Sequence, residues 1–353
     1  MKSIIRLLLL FVLSGSYLAC AEPVSASASN ESVVEPVKEE FNPGETIMHH
    51  IVDSHEWHLA TIGDLHISAP LPVILYSQEK GFVFFMSSRF HNETRSYMGY
   101  MLDSHDHIHS DNPNEVFYDL SITKNVASLF LSIVLLLVIF LSIAGKYKKN
   151  PVAAPSGMQS FFEPIIIYIR DDIAKSMIGP KYQRFMPYLL TIFFFIWFNN
   201  MLGLVPGGAN LTGNLAVTMV LALFTFIITC FSGNKYYWGH IFNPPGLPLP
   251  IKFLMVPIEV VSMFTKPFSL MVRLFANVTA GHIIILSLLC LIFIFKSAAA
   301  SLISLPFAIF MMALELFVAI LQAYIFTLLS AMYLGAAVEE HAHSDHDLDK
   351  ALY

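Results

Sequence analysis

From residue 126 onward the chain alternates long apolar runs with short polar stretches. Val126–Ala144 holds 19 residues without a charge, and about 20 apolar residues suffice for a helix to cross a bilayer. Pro187–Leu204 and Leu215–Phe231 are two further runs of this kind, with Val205-Pro206-Gly207-Gly208 turning between them. Ile251–Phe295 and Ser301–Val338 are too long for upright spans. A helix covering all of Ile251–Phe295 is about 68 Å long at 1.5 Å per residue, against a hydrocarbon core of about 30 Å. Such a helix must be broken, steeply tilted or partly outside the core. The pattern predicts an all-α polytopic membrane protein with five membrane helices, the last two long and tilted, plus a small periplasmic N-terminal region. Between the first and second spans, residues 157–178 mix Phe161, Phe162, Ile165, Ile166 and Ile169 with Arg170, Asp171, Asp172 and Lys175. That mixture suits a helix lying in the membrane interface.

The residues before the first span pattern differently. In 1–21, Lys2 and Arg6 precede the apolar Leu7–Leu13, and Ala19-Cys20-Ala21 supplies small residues at a cleavage site. This reads as a signal peptide, because the apolar stretch is too short to span. Tyr17, where a Leu is usual, weakens a lipoprotein reading at Cys20. Residues 22–46 are rich in Glu, Ser, Ala and Pro and read as a linker. Within 47–124, Leu71–Tyr76 and Phe82–Ser88 flank Gln78-Glu79-Lys80-Gly81, which predicts a hairpin. The expected organisation is therefore a signal peptide (1–21), a periplasmic His-rich region (22–124), a membrane domain (125–340) and a cytoplasmic tail (341–353).

Composition agrees with the membrane reading: 56% of residues are apolar and 13% charged, where soluble domains carry about 25% charge. The net charge of −6 conceals an asymmetry. Residues 145–186 hold seven Lys and Arg against three acids. Lys146, Lys148 and Lys149 directly follow the first span and mark a cytoplasmic end. Nothing resembles a nucleic-acid surface. Three cysteines, Cys20, Cys230 and Cys290, offer neither a disulfide framework nor zinc spacing.

The chemistry lies where charge interrupts the last two runs. Glu259, Ser262, Lys266, Ser269, Arg273 and Asn277 follow one another at spacings of three and four, so on a helix they form one polar stripe. An arginine deep in a membrane helix costs roughly 2.5–3.5 kcal/mol on insertion scales, and Arg273 is too far from either end of its run to snorkel. Such charges mark ion pathways; a structural ion pair is the plainer alternative. His282, nine residues beyond Arg273, falls on roughly the opposite face. In the last run Glu315 is the sole Asp, Glu, Lys, Arg or His between Ser301 and Val338, and Gln322 shares its face seven residues on. Histidine exchanges protons near neutrality. His282 and Glu315 on facing helices would make a proton relay, or a static buried hydrogen bond.

The run Lys266-Pro267-Phe268-Ser269-Leu270-Met271-Val272-Arg273-Leu274-Phe275-Ala276-Asn277-Val278-Thr279-Ala280-Gly281-His282 resembles the signature segment of subunit a of F-type ATP synthases. The segment Phe198-Asn199-Asn200-Met201-Leu202-Gly203-Leu204-Val205-Pro206, the segment Thr212–Thr218, and Glu315 followed by Leu321-Gln322-Ala323-Tyr324-Ile325-Phe326 are similar to the same family. The resemblance covers about residues 125–340. It implies that Arg273 is the family's essential arginine, acting on carboxylates of a rotating ring of c subunits. It also implies that His282, Glu315, Gln322, Asn277 and Glu259 belong to the proton pathway. The implied partners are the c-ring, the b subunit and the rest of the F1Fo complex in the cell inner membrane. No cofactor and no catalytic activity of the lone chain are expected. The alternative class is a secondary transporter or ion channel acting alone, which would predict an internal repeat that the sequence does not display. A third class, metal binding by His105-Asp106-His107-Ile108-His109 and His341-Ala342-His343, competes with the simpler reading of solvated histidine-rich loops.

Overall fold

The computed structural model describes Gly44 and residues 53–339, except 63–64, 92–95, 104–105, 113–114, 151, 153, 206–207, 245–247 and 296–297. The expected signal peptide, nearly all of the expected linker, Cys20, His105, and the tail with His341 and His343 lie outside the described residues.

Among the described residues the N-terminal region has eight short strands: β1 (Glu56–Ile62), β2 (Leu65–Pro70), β3 (Pro72–Ser77), β4 (Gly81–Met86), β5 (Ser96–Tyr97), β6 (Tyr100–Leu102), β7 (Ile108–Ser110) and β8 (Phe117–Asp119). They form an antiparallel β1-β2 pair and two three-stranded sheets, ordered β4-β3-β8 and β5-β6-β7. The hairpin expected from Gln78–Gly81 is present, paired from Pro72 opposite Met86 to Ser77 opposite Gly81. Gly81 takes a positive φ of 72°, which a glycine adopts without steric cost. Strand alternation sends Val73, Leu75, Phe85 and Phe117 inward, where they meet Phe90, Tyr100 and Ile108. Glu115 is buried in this region and accepts bonds from Lys80 Nζ (2.9 Å), Tyr100 OH (2.8 Å) and Ser110 Oγ (2.7 Å).

The first membrane helix, α1 (Lys124–Lys149), is fastened to that region. Thr123, its N-cap, makes no capping bond with its own side chain. Asp53 supplies one instead: Oδ1 accepts from the Asn125 amide (3.0 Å) and Oδ2 from the Thr123 hydroxyl (2.7 Å). A free helix N-terminus leaves amides without acceptors, so this carboxylate both caps α1 and ties it to the strands. Lys146, Lys148 and Lys149 occupy the last turn of α1.

Next come α2 (Met158–Tyr168), a π-helical turn over Ile169–Lys175, α3 (Ser176–Ile178) and α4 (Tyr182–Leu204). Gly179, at φ 71° and ψ −145°, puts a corner before α4, so the segment expected at the interface is set off from the span after it. α5 (Leu215–Ser232) and the short α6 (Lys235–Phe242) follow. α7 (Leu249–Phe295) continues for 47 residues, through Pro257 and Pro267. α8 (Ala298–Val338) has 41 residues. Of the options the length left open, α7 thus takes an unbroken helix. Five stretches among the described residues are long and apolar enough to cross a membrane.

α8 lies against α7, α4 and α5, while α1 packs on α4. The shared core includes Leu189 and Ile196 of α4, Leu270 and Leu274 of α7, and Phe326 and Leu334 of α8. The buried side of α8 is rich in small residues, among them Ala308, Ala319, Ala323 and Ala331. Small residues let membrane helices approach closely where dispersion and hydrogen bonds, not water exclusion, drive association. One close approach is at Gly335, where a Cβ would stand 2.0 Å from the Met177 carbonyl oxygen of α3.

Candidate functional site: a polar seam between the two long helices

The centre of the site is a hydrogen bond between His282 of α7 and Glu315 of α8. His282 Nδ1 lies 2.6 Å from Glu315 Oε1, and Nε2 lies 3.2 Å from the Gly203 carbonyl oxygen at the end of α4. A carbonyl only accepts, so Nε2 must carry a hydrogen. Nδ1 and Oε1 then share one proton: either a neutral carboxyl donates to Nδ1, or an imidazolium donates to a carboxylate. Both forms satisfy the same geometry, and moving the proton along the bond interconverts them. Glu315 fits beside α7 because its neighbour there is Gly281; a Cβ at 281 would be 2.9 Å from Oε1 and 3.0 Å from Cδ.

A second rung crosses the same seam. Asn277 Nδ2 donates to Gln322 Oε1 at 2.9 Å. Gln322, seven residues beyond Glu315, is fully buried. Glu315 Oε2, Gln322 Nε2, Thr279 Oγ1 and Ser304 Oγ, all on α7 or α8, are buried without a hydrogen-bond partner among the described residues. Buried polar atoms are nearly always paired, and four of the seven exceptions among the described residues fall on these two helices. Next to it, Asn200 of α4 donates to the Ala319 carbonyl (3.2 Å) and accepts from Thr212 Oγ1 (2.6 Å). That bridge fixes α4 and the 3₁₀ turn Leu211–Gly213 against α8.

Arg273 lies one helical turn before Asn277. It is half-buried and forms no ion pair or hydrogen bond among the described residues. Lys266 rests 5.7 Å from the Tyr333 ring centroid of α8, and Glu259 is half-buried two turns before Lys266. A cleft at this level is lined by Thr225, Thr229, Tyr237, Lys266 and Tyr333. The stripe read from the sequence is therefore a border, not a single buried face. Leu270, Leu274 and Val278 beside it are buried, whereas Ser269 and Asn277 are exposed in the isolated chain.

The structure brings His282 to Glu315, the juxtaposition the sequence suggested, and also Asn277 to Gln322, a pairing the sequence did not specify. It leaves Arg273 and Glu259 outside both pairs. The sequence did not reveal the Gly203 carbonyl, the Asn200–Thr212 bridge or the demand for glycine at 281. Backbone acceptors carry no residue signature, and the asparagine bridge exists only once α4 meets α8. Of the histidine-rich motif, His109 Nε2 stands 3.8 Å from Asp103 Oδ2. No group of three or more His, Cys, Asp or Glu converges on a common point among the described residues.

Comparison with known proteins places these helices in a family. Residues 126–335 match the family model described as ATP synthase A chain, and residues 46–128 match a domain of unknown function. The chain is 40% identical over 337 residues to "ATP synthase subunit a 2" of Chlorobaculum tepidum, covering 93% of this chain and 83% of that protein. It is 39% identical to the protein of the same name in Prosthecochloris aestuarii, over 98% of this chain and 94% of the relative. "ATP synthase subunit a" of Chloroherpeton thalassium is 48% identical over 65% of this chain and 69% of its own length. These matches span the five apolar helices and both rungs of the seam, and they remove the reading as a transporter or channel acting alone: the chain belongs to the ATP synthase A chain family, a membrane component of the ATP synthase and not an enzyme by itself.

Proposed function

We propose that this chain is the proton-translocating stator subunit of the Fo sector, in which Arg273 acts on carboxylates carried by a ring of c subunits. The observation that carries this reading is a half-buried guanidinium on a membrane helix without a carboxylate partner among the described residues. An arginine at such depth is costly unless it meets a counter-charge, and the counter-charge is then supplied from outside the chain. A ring carboxylate that must be neutral in lipid ionises opposite Arg273 and releases its proton to one half-channel. It takes a new proton from the other half-channel before leaving. Arginine suits the task because it keeps its charge when desolvated, which lysine does not.

His282, Glu315, Gln322 and Asn277 serve as the relay of one half-channel. The shared proton of the first rung and the unpaired polar atoms along the seam support this. Glu259, with the cleft near Lys266 and Tyr333, belongs to the other. α7 and α8 lie steeply tilted in the bilayer: at 1.5 Å per residue they are about 70 Å and 60 Å long, twice the hydrocarbon thickness. The lysines ending α1 face the cytoplasm. The N-terminal region, residues 22–124, is then periplasmic, the C-terminus (341–353) is cytoplasmic, and the complex, with its b subunit, resides in the cell inner membrane.

The test is ATP-driven proton pumping in inverted membrane vesicles. Arg273→Ala abolishes pumping while the subunit still assembles into the complex, and Arg273→Lys fails as well. Normal pumping by assembled Arg273→Ala overturns the proposal.

A further inference from the structure

The β4-β3-β8 sheet has one face on the N-terminal core and one face open. The open face consists of alternate residues from all three strands, and none of them is charged. Tyr76, Phe82, Phe84, Met86, Tyr118 and Leu120 are its exposed members. Phe82 and Phe84 are 73% and 67% exposed, more than isolated surface aromatics need be. They stand in register, with Tyr76 opposite both Phe82 and Tyr118, and the Tyr76 and Phe82 rings lie 4.8 Å apart. A contiguous uncharged face of this kind marks a surface that meets something other than water.

Its attachment identifies what that is. Strand β8 does not end at a flexible joint. The Leu120 amide bonds the Ile74 carbonyl (2.8 Å), the Ile122 amide bonds the Pro72 carbonyl (3.1 Å), and the Lys124 amide bonds the Ser54 carbonyl (2.9 Å). Lys124 is the first residue of α1. The sheet thus extends by hydrogen bonds as far as Ile122, two residues before a membrane span, and with α1 crossing the bilayer its near end, Met86-Pro72-Ile122, comes close to the bilayer boundary. From Tyr118 to Lys124 an extended strand covers about 20 Å, whereas each headgroup layer is only about 5–8 Å thick. An upright sheet would hold Phe82 and Tyr118 in water. A sheet lying flat puts the whole face at one depth, with tyrosines among aliphatic and aromatic side chains. That is the composition of membrane interfaces, where rings with one polar end are favoured.

We propose that the open face of this sheet rests on the bilayer surface, with its side chains among the lipid headgroups, so that the N-terminal region lies beside α1 and does not stand away from the membrane. The inference rests on α1 spanning the membrane and is independent of the roles proposed for Arg273 and the seam.

The experiment uses the intact complex, with the native cysteines of this chain replaced by serine. A single cysteine is introduced as Phe82→Cys, Phe84→Cys or Tyr118→Cys and labelled with an environment-sensitive fluorophore. Asp111→Cys, exposed at the end of β7, is the control. The complexes are reconstituted into vesicles of phosphatidylcholine and phosphatidylglycerol containing a lipid with a doxyl quencher just below the headgroup. Aqueous iodide is the competing quencher. Lipid quenching is expected to be several-fold stronger at the three sheet positions than at 111, with iodide quenching correspondingly weaker. Strong iodide quenching at Phe82→Cys and Phe84→Cys would mean that the face is open to water. Protection from both quenchers would mean that another protein covers it. Either result overturns the proposal.

Discussion

Gly281→Ala tests the proposed proton relay with one added carbon. A methyl at this position would lie 2.9 Å from Oε1, 3.0 Å from Cδ and 3.3 Å from Cγ of Glu315. Comfortable separations between such atoms are about 3.5–4.0 Å, so the carboxyl group must retreat by about half an ångström or more. The obstacle is the end of a side chain, and it moves by a torsion costing about 0.5–1.5 kcal/mol. Replacing glycine within a helix returns roughly 0.5–1 kcal/mol. The two effects nearly cancel, so the folded chain is expected to assemble normally. The relay does not escape so cheaply. Glu315 Oε1 is held 2.6 Å from His282 Nδ1, and a retreat of that size stretches the bond to the weak end of hydrogen bonding, beyond about 3.1 Å. Misplacement by 1 Å costs up to about 100-fold in positioned chemistry, and half of that displacement corresponds to roughly ten-fold. The assay compares initial rates of ATP-driven acidification in inverted vesicles, normalised to the amount of assembled complex. Wild-type pumping by fully assembled Gly281→Ala would show that the His282–Glu315 bond is not on the path.

Gly335→Ala is expected to do the reverse. Its methyl would stand 2.0 Å from the Met177 carbonyl oxygen and 2.9 Å from the Met177 carbonyl carbon, backbone that cannot rotate away, and overpacking of this kind costs about 1–3 kcal/mol; the expected readout is a lower thermal midpoint and yield of the complex, with near-normal pumping by whatever assembles. Exchanging the rung, His282→Glu with Glu315→His, should recover part of the flux that either single alanine variant loses, and simple addition of the two losses in the exchanged variant would show that the sites act separately. His55 makes the N-terminal region sensitive to pH: burial opposes its charge, but the bond and charge of Asp119, the Asp106 carbonyl and the charge of Asp53 outweigh burial and raise its pKa above 6.5. A raised histidine pKa stabilises the fold fully below the unfolded value and loses that contribution as pH rises through the folded one, so the urea midpoint of this region should fall from mildly acidic to mildly alkaline pH, and His55→Gln should flatten the trend.

The five spans were legible because charge exclusion over some 20 residues needs no tertiary context. The corner at Gly179 was not, since a glycine before a proline, here between Ile178 and Lys181, reads as any loop. In the N-terminal region only β3 and β4 announced themselves. Their six-residue strands flank a turn with a glycine where positive φ is needed, whereas β5 to β8 have two or three residues each, too few to display alternation. The ionisable residues of the seam were visible as interruptions in apolar runs. Which of them touch was not fixed by helical spacing alone. Glu315 and Gln322 could be placed on one face of α8, but the offset between α7 and α8 decides that Glu315 meets His282 while Gln322 meets Asn277. That offset is set by close contacts such as Glu315 over Gly281.

The two rungs also determine where a proton path can run relative to Arg273. His282 is nine residues from Arg273, about 13 Å along the axis and on the opposite side of α7 at 100° per residue. No direct transfer between them is geometrically available. Asn277 closes part of the gap: it lies one turn from Arg273 on the same side, and its bond to Gln322 reaches α8. Gln322 in turn lies two turns along the buried side of α8 from Glu315, about 10 Å away. Polar groups therefore descend the seam in steps of one or two turns, from a pair able to share a proton, through an amide pair that carries no net charge, to a fixed cation. An amide rung between an exchangeable proton and a guanidinium has a physical consequence. It can align a hydrogen-bonded chain but cannot store a charge, so a proton does not accumulate beside Arg273, where repulsion would oppose it. In the proposed role the proton is handed to a ring carboxylate near that rung, before it reaches the arginine. In that role the relay and the barrier would be consecutive stretches of one helix seam, separated by little more than a turn.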